Sequence, residues 1–225
     1  MDNWNGIVSL LIACIELVLI INVLIFAEKN RFNKITVIFL IVLMIYQVLE
    51  FVMCHLNYSS SFLAYIAFID ISFLPPLDLY LVYTFFIRGN INLRYLFVLP
   101  FFFIIYYALV LNSFEVASCT VFYAVYHYPL GTLYGVYYYL PIVISVFFLI
   151  YYLRKGTVQK NILFAGLLLI GHVIMVIPVL FAFLLAALRM PGMLNSVESI
   201  MCKFAFSYAI CLTFFALNNK ESLNE

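Results

Sequence analysis

The chain has 225 residues, of which 68% are hydrophobic and 9% charged, with 24 Phe, 18 Tyr and a formal net charge of +1. A soluble domain carries about 45–50% apolar and about 25% charged residues, so a water-facing surface cannot be made from this composition, whereas a bilayer accepts it. The near-neutral balance leaves no electrostatic footprint for nucleic acid, and the five cysteines form no CxxC pair that would hold structural zinc.

The apolar runs predict seven membrane spans, at about 6–27, 35–54, 62–87, 95–112, 133–153, 161–188 and 197–217. Each reaches or nears the roughly 20 residues a helix needs to cross a bilayer. The fold class expected is therefore all-α: one polytopic seven-helix transmembrane bundle over residues 1–225. No cleavable signal peptide is expected, because MDNWNG lacks Lys and Arg and the run behind it is long enough to span.

Span one carries Glu16 and is followed by EKNRFNK, with Lys29, Arg31 and Lys34. In span two, YQVLEFVMC places Gln47, Glu50 and Cys54 three and four residues apart, on a single helical face. The next connection holds Asn57-Tyr58-Ser59, an N-glycosylation pattern. Span three contains FIDISFLPPLDLY, with Asp70, Pro75, Pro76 and Asp78. Two prolines without N–H donors predict a kink or local unwinding there. RGNINLR then supplies Arg88 and Arg94, ahead of span four.

The connection after span four has about 20 residues, is rich in aromatics, and holds Glu115, Cys119, His127 and Pro129. A lid over a site, or an interfacial aromatic belt, would use such a loop. Span five leads into RKGTVQK, with Arg154, Lys155 and Lys160. In span six, Gly166 and Gly171 precede His172 and would permit close helix approach, and Pro178 predicts a kink. Span seven spaces Ser199, Lys203 and Ser207 four residues apart, and Lys220 follows.

Nine basic residues fall on alternate connections, whereas the opposite connections hold only Arg189. By the positive-inside rule the N-terminus is outside and the C-terminus inside. With about 1.5 Å of rise per residue, Glu16, Glu50, Asp70 and Lys203 fall in the outer half of the bundle, and Asp78 and His172 lie deeper. Ionisable groups in spans are costly unless they face the interior and find partners. The expected site is an outward-opening polar cavity of Glu16, Gln47, Glu50, Asp70, Asp78, His172 and Lys203, with Lys203 paired to Glu50 or Asp70. Cys54 and Cys119 are candidates for a disulfide on the oxidising side; Cys14, Cys202 and Cys211 read as packing residues.

The segment IAFIDISFLPPLDLY looks like the third-helix region of microbial rhodopsins, with Asp70, Pro76 and Leu77 at matching places. The agreement stops there: Glu198 and Lys203 are five rather than four apart, and Trp4 is the only tryptophan, so no retinal or other cofactor is expected. Spans two to seven resemble the seven-helix N-terminal sensor regions of bacterial histidine kinases and related membrane receptors. QVLEF, LPPLDLY, the long outer loop and GTLYGVYYYLPIVISVFFLIYYLRKG carry the resemblance. It implies ligand sensing within the bundle and a conformational signal to a cytoplasmic output domain. No such domain is evident here, so a membrane or cytoplasmic protein partner is implied.

No HExxH, GxSxG, Walker or Asp-rich diphosphate motif occurs, and an enzyme is not expected. The leading expectation is a stand-alone plasma-membrane receptor or sensor binding a small ligand. The alternatives are a small-solute or proton-coupled transporter and a structural or assembly subunit.

Overall fold

The computed structural model describes residues 4–58, 60–86, 93–155, 159–187 and 197–219. Arg88, Arg189 and Lys220 of the charge pattern, and Ser59 of the Asn57-Tyr58-Ser59 pattern, lie outside the described residues. The described residues are mostly helical. Its helices are α1 (Ile7–Phe26), α2 (Arg31–Cys54), α3 (Ser61–Ser72), α4 (Leu74–Phe86), α5 (Val98–Leu109), α6 (Gly131–Lys155), α7 (Gln159–Ala187) and α8 (Val197–Asn218).

Among the described residues, six stretches are long and apolar enough to cross a membrane: α1, α2, α3 with α4, α6, α7 and α8. The expected fourth span is different. A 3-10 turn over Leu93–Phe97 precedes α5, whose 12 residues reach only about 18 Å against a hydrocarbon core of about 30 Å.

Local chemistry sets the boundaries. Asn30 caps α2 by accepting from the Asn33 N–H at 2.8 Å, so this helix starts four residues before the apolar run begins. Ser60 caps α3 through the Leu63 N–H at 3.2 Å. The proline pair acts as expected of it: α3 stops at Ser72, and α4 begins at Leu74. Pro75 and Pro76 thus occupy the first turn of α4, where a helix has no use for their missing donors. Pro178 stands inside α7, which continues on both sides of it.

The long helices close a ring in the order α1, α2, α4, α6, α7, α8 and back to α1, with α2 and α8 also packed together across its interior. Gly171 explains one close approach. A Cβ there would meet the Tyr208 ring at 2.9 Å and its Cα at 3.2 Å, so α7 and α8 need the missing side chain. Gly166 has no such constraint, its nearest contact being ordinary at 3.9 Å.

The long connection is not an open loop. β1 (Glu115–Cys119) and β2 (Ala124–His127) pair antiparallel with a bulge between Val116 and Ser118. Thr120 closes the turn, its hydroxyl accepting from the Phe122 and Tyr123 N–H groups. This small sheet is the departure from a wholly helical chain. Beside it Phe68 is ringed by Tyr107, Phe114, Tyr128 and Tyr134 at centroid separations of 4.2–5.2 Å, which seats the hairpin's flanks on α3 and α6.

Candidate functional site

Among the described residues, buried ionisable side chains pair in two centres. The first joins three helices, α1, α2 and α8. Lys203 Nζ on α8 lies 3.1 Å from Glu50 Oε1 on α2 and donates to Ser9 Oγ on α1 at 2.9 Å. It also donates to Gln47 Oε1. Ser9 donates to Glu50 Oε1 at 3.3 Å, and Ser199 donates to Oε2 at 3.1 Å. Gln47 Nε2 donates to the Cys202 carbonyl at 3.2 Å. The ammonium therefore spends all three donors on named acceptors, and both Glu50 oxygens are engaged. Glu50, Gln47, Ser9 and Ser199 are fully buried, and the Lys203 side chain is 9% exposed.

Ser199 also ties this centre to the hairpin, accepting from the Ala124 N–H of β2 at 3.1 Å. A disulfide between Cys54 and Cys119, with a Cα–Cα distance of 5.5 Å, anchors β1 to the end of α2 one turn beyond Glu50. The Gly6 N–H donates to the Thr120 carbonyl at 3.0 Å, adding the start of α1. Gly6 sits at φ 72, and a Cβ there would stand 3.0 Å from the Cys54 Cβ, so this crossing requires glycine twice over.

Tyr46 on α2 and Tyr126 on β2 bring buried phenols into the field of Glu50, with Tyr46 beside both Ser199 and the Tyr126 hydroxyl. Burial holds the Tyr126 phenol well above its ordinary range, and the Glu50 charge pushes the same way.

The second centre is one buried pair. His172 Nε2 on α7 lies 2.9 Å from Asp78 Oδ2 on α4, and Nδ1 lies 2.9 Å from the Leu168 carbonyl. A carbonyl can only accept, so Nδ1 carries its proton, and one further proton is shared between Nε2 and Oδ2. The pair is net neutral whichever side that proton favours. The Tyr208 phenol also stands beside the Asp78 carboxylate. The ring of Tyr208 packs edge-on against His172 at 4.3 Å.

Of the sequence-derived candidates, Gln47, Glu50 and Lys203 meet in the first centre, and Asp78 and His172 form the second. Glu50, not Asp70, is the carboxylate that Lys203 takes. Asp70, at the end of α3, remains half-buried with Oδ2 unbonded. Glu16 is fully buried, attracted by Lys203, and hydrogen-bonded through neither oxygen. Ser9 and the phenols of Tyr46 and Tyr126 were not legible as site residues; the seven-residue spacing of Ser9 and Glu16 is the signal that could have found the first.

Between the centres, Asp78, Met175, Met201, Cys202, Pro75 and Tyr138 help line a small crevice with room for the centre of about one water-sized body. Glu50, Gln47 and Lys203 do not line it. Cys14 is exposed and Cys211 half-buried. Among the described residues no three His, Cys, Asp or Glu side chains cluster as a metal site. Compared with protein families, curated proteins and solved structures, the chain matches none.

Proposed function

We propose that this chain is a seven-helix membrane receptor or sensor subunit that reads an event at its outer hairpin and acts through a protein partner. The seventh member of the bundle is α5, set beside α3 and completed by its 3-10 turn. The N-terminus is outside and the C-terminus inside, in the plasma membrane, with the hairpin on the oxidising face where its disulfide belongs.

One observation carries the reading. Ser199 accepts from the Ala124 N–H of the hairpin and donates its own O–H to Glu50, so one hydroxyl joins the hairpin to the buried ion pair. A ligand that shifts β2 must move or break that link. Glu50 and Lys203 would then repartition among Gln47, Ser9 and Glu16, which alters how α1, α2 and α8 pack. Such a discrete rearrangement is what a two-state signalling element requires.

The transporter alternative needs a path open to both faces, and the central crevice holds no more than about one water. At the other end, Arg31 of α2 bonds the Tyr80 hydroxyl of α4 and stands over its ring, a tie consistent with a closed inner side.

Photocrosslinking from the inner ends of α2 and α6 in the host membrane tests the partner. A single captured protein bearing an output domain supports the reading; a chain that remains uncrosslinked and monomeric overturns it. Hydrogen exchange tests the coupling: Ser199→Ala should raise exchange in α1 and α8 as well as in the hairpin. A change confined to the hairpin would count against signal transfer.

A further inference from the structure

Two buried glutamates stand near a single lysine. Glu50 takes the Lys203 ammonium at 3.1 Å and accepts from Ser9 and Ser199. Glu16, two turns further along α1 on the same face as Ser9, is fully buried and hydrogen-bonded through neither oxygen. Its neighbours one turn away on that face are Ile12, Ala13 and Ile20, all buried and apolar. The exposed side of α1 carries Leu11, Ile15 and Val18, so the helix offers this carboxyl no polar neighbour there either.

Few charged or titratable groups surround it. Lys203 of α8 is the charge that acts on Glu16. The three donors of that ammonium go to Ser9, Gln47 and Glu50, and none is left over. On α2, Glu50 would repel a second negative charge; the phenols of Tyr46 and, from β2, Tyr126 lie beside Glu50 and add no positive one. With Glu50 ionised against Lys203, the centre is neutral. An ionised Glu16 would leave an unpaired negative charge, without one hydrogen bond, inside a membrane bundle. Keeping the proton costs far less.

The geometry points to Glu16 as a proton-binding site: a neutral carboxylic acid in the resting bundle, held in reserve as the second carboxylate for Lys203. When the lysine changes partner, the Glu16 O–H bond breaks and the Glu50 carboxylate takes that proton. Lys203 stays an ammonium throughout, so the centre remains neutral and no electron moves. The site does not depend on the receptor reading.

Infrared spectroscopy of the full chain in an ester-free detergent reads protonated carboxyl groups through their carbonyl stretch. At neutral pH the unsubstituted chain should show such a band. Glu16→Gln should remove it, and Asp70→Asn should leave that component in place. Glu50→Gln frees the ammonium for Glu16, so the band should be lost as the proton leaves to solvent. Adding Lys203→Met to Glu50→Gln should bring the band back, because no cation then remains to pair with Glu16. Should Glu16→Gln fail to fold, Glu16→Leu, apolar like its surroundings, is scored in the same way. Should both fail, the loss in Glu50→Gln and the return in the double variant are read with Glu16 intact. No carboxylic acid band, or one untouched by replacing Glu16, overturns the proposal. A Glu16 band that survives Glu50→Gln overturns the exchange with Lys203.

Discussion

Lys203 is the residue on which the outer centre turns, because its three donors reach α1 and α2 at once. Removing it strands a fully buried Glu50 carboxylate. Lys203→Met should therefore cost about 3–5 kcal/mol, read as a lower unfolding midpoint of the purified chain in detergent. Adding Glu50→Gln should recover a large part of that loss, since the uncompensated charge goes with it. Exposed Glu115→Gln is the control and should move stability by less than about 0.5 kcal/mol. Equal midpoints for the lysine variant and the control would sink the ion-pair argument. Sequence alone reached this centre halfway. Gln47 and Glu50 declared a common face through their spacing, and Lys203 declared itself by being a charge in a span. Which carboxylate it takes was not legible, because helix rotation decides it and periodicity leaves rotation free. Asp78 and His172 illustrate the same limit: each stood out as a deep polar group, but 94 residues separate them and nothing local predicts the pairing.

The segment LPPLDLY shows how an element can follow its letters. Both prolines sit in the first turn of α4, so Pro76→Ala should be tolerated within about 1 kcal/mol. Leu79→Pro, in the helix interior, should cost about 3 kcal/mol or more, measured by the same unfolding midpoint. The break at Phe73 also separates the two aspartates onto different helices. An ideal single helix would have fixed the angle between them; two helices allow Asp78 to face His172 while Asp70 stays near α2. The hairpin was not legible at all. Its aromatic run matched a lid or an interfacial belt equally well, and strand pairing emerges only once Thr120 closes the turn and Cys119 meets Cys54. Replacing both cysteines by Ala should lower stability by about 2–4 kcal/mol and raise hydrogen exchange across residues 115–127, detectable by mass spectrometry.

At the scale of the molecule, hydropathy located six long helices to within a few residues, because burial in lipid demands long apolar runs with satisfied backbones. At the fourth, the apolar run 95–112 is the shorter α5 behind its 3-10 turn, because composition says nothing about how a helix ends. The charge pattern adds a direction that coordinates lack. A fluorescent protein fused after residue 219 should fold and fluoresce on the inner side, and alkaline phosphatase at the same place should be inactive; the reverse result would invert the proposed topology.

The buried charge network also has a timetable. Ser9 and Lys203 are 194 residues apart, and Gln47 is 156 residues from the same lysine. A ribosome adding about 5–20 residues per second leaves the acidic groups of α1 and α2 without their cation for on the order of ten seconds or more. During that interval the nascent helices hold a carboxyl group that has no ion-pair partner and must stay protonated or hydrated. Correct assembly is thus verified only when the last helix arrives, and a ribosome that stalls before it would release an intermediate marked for quality control by the very residues that later lock the bundle.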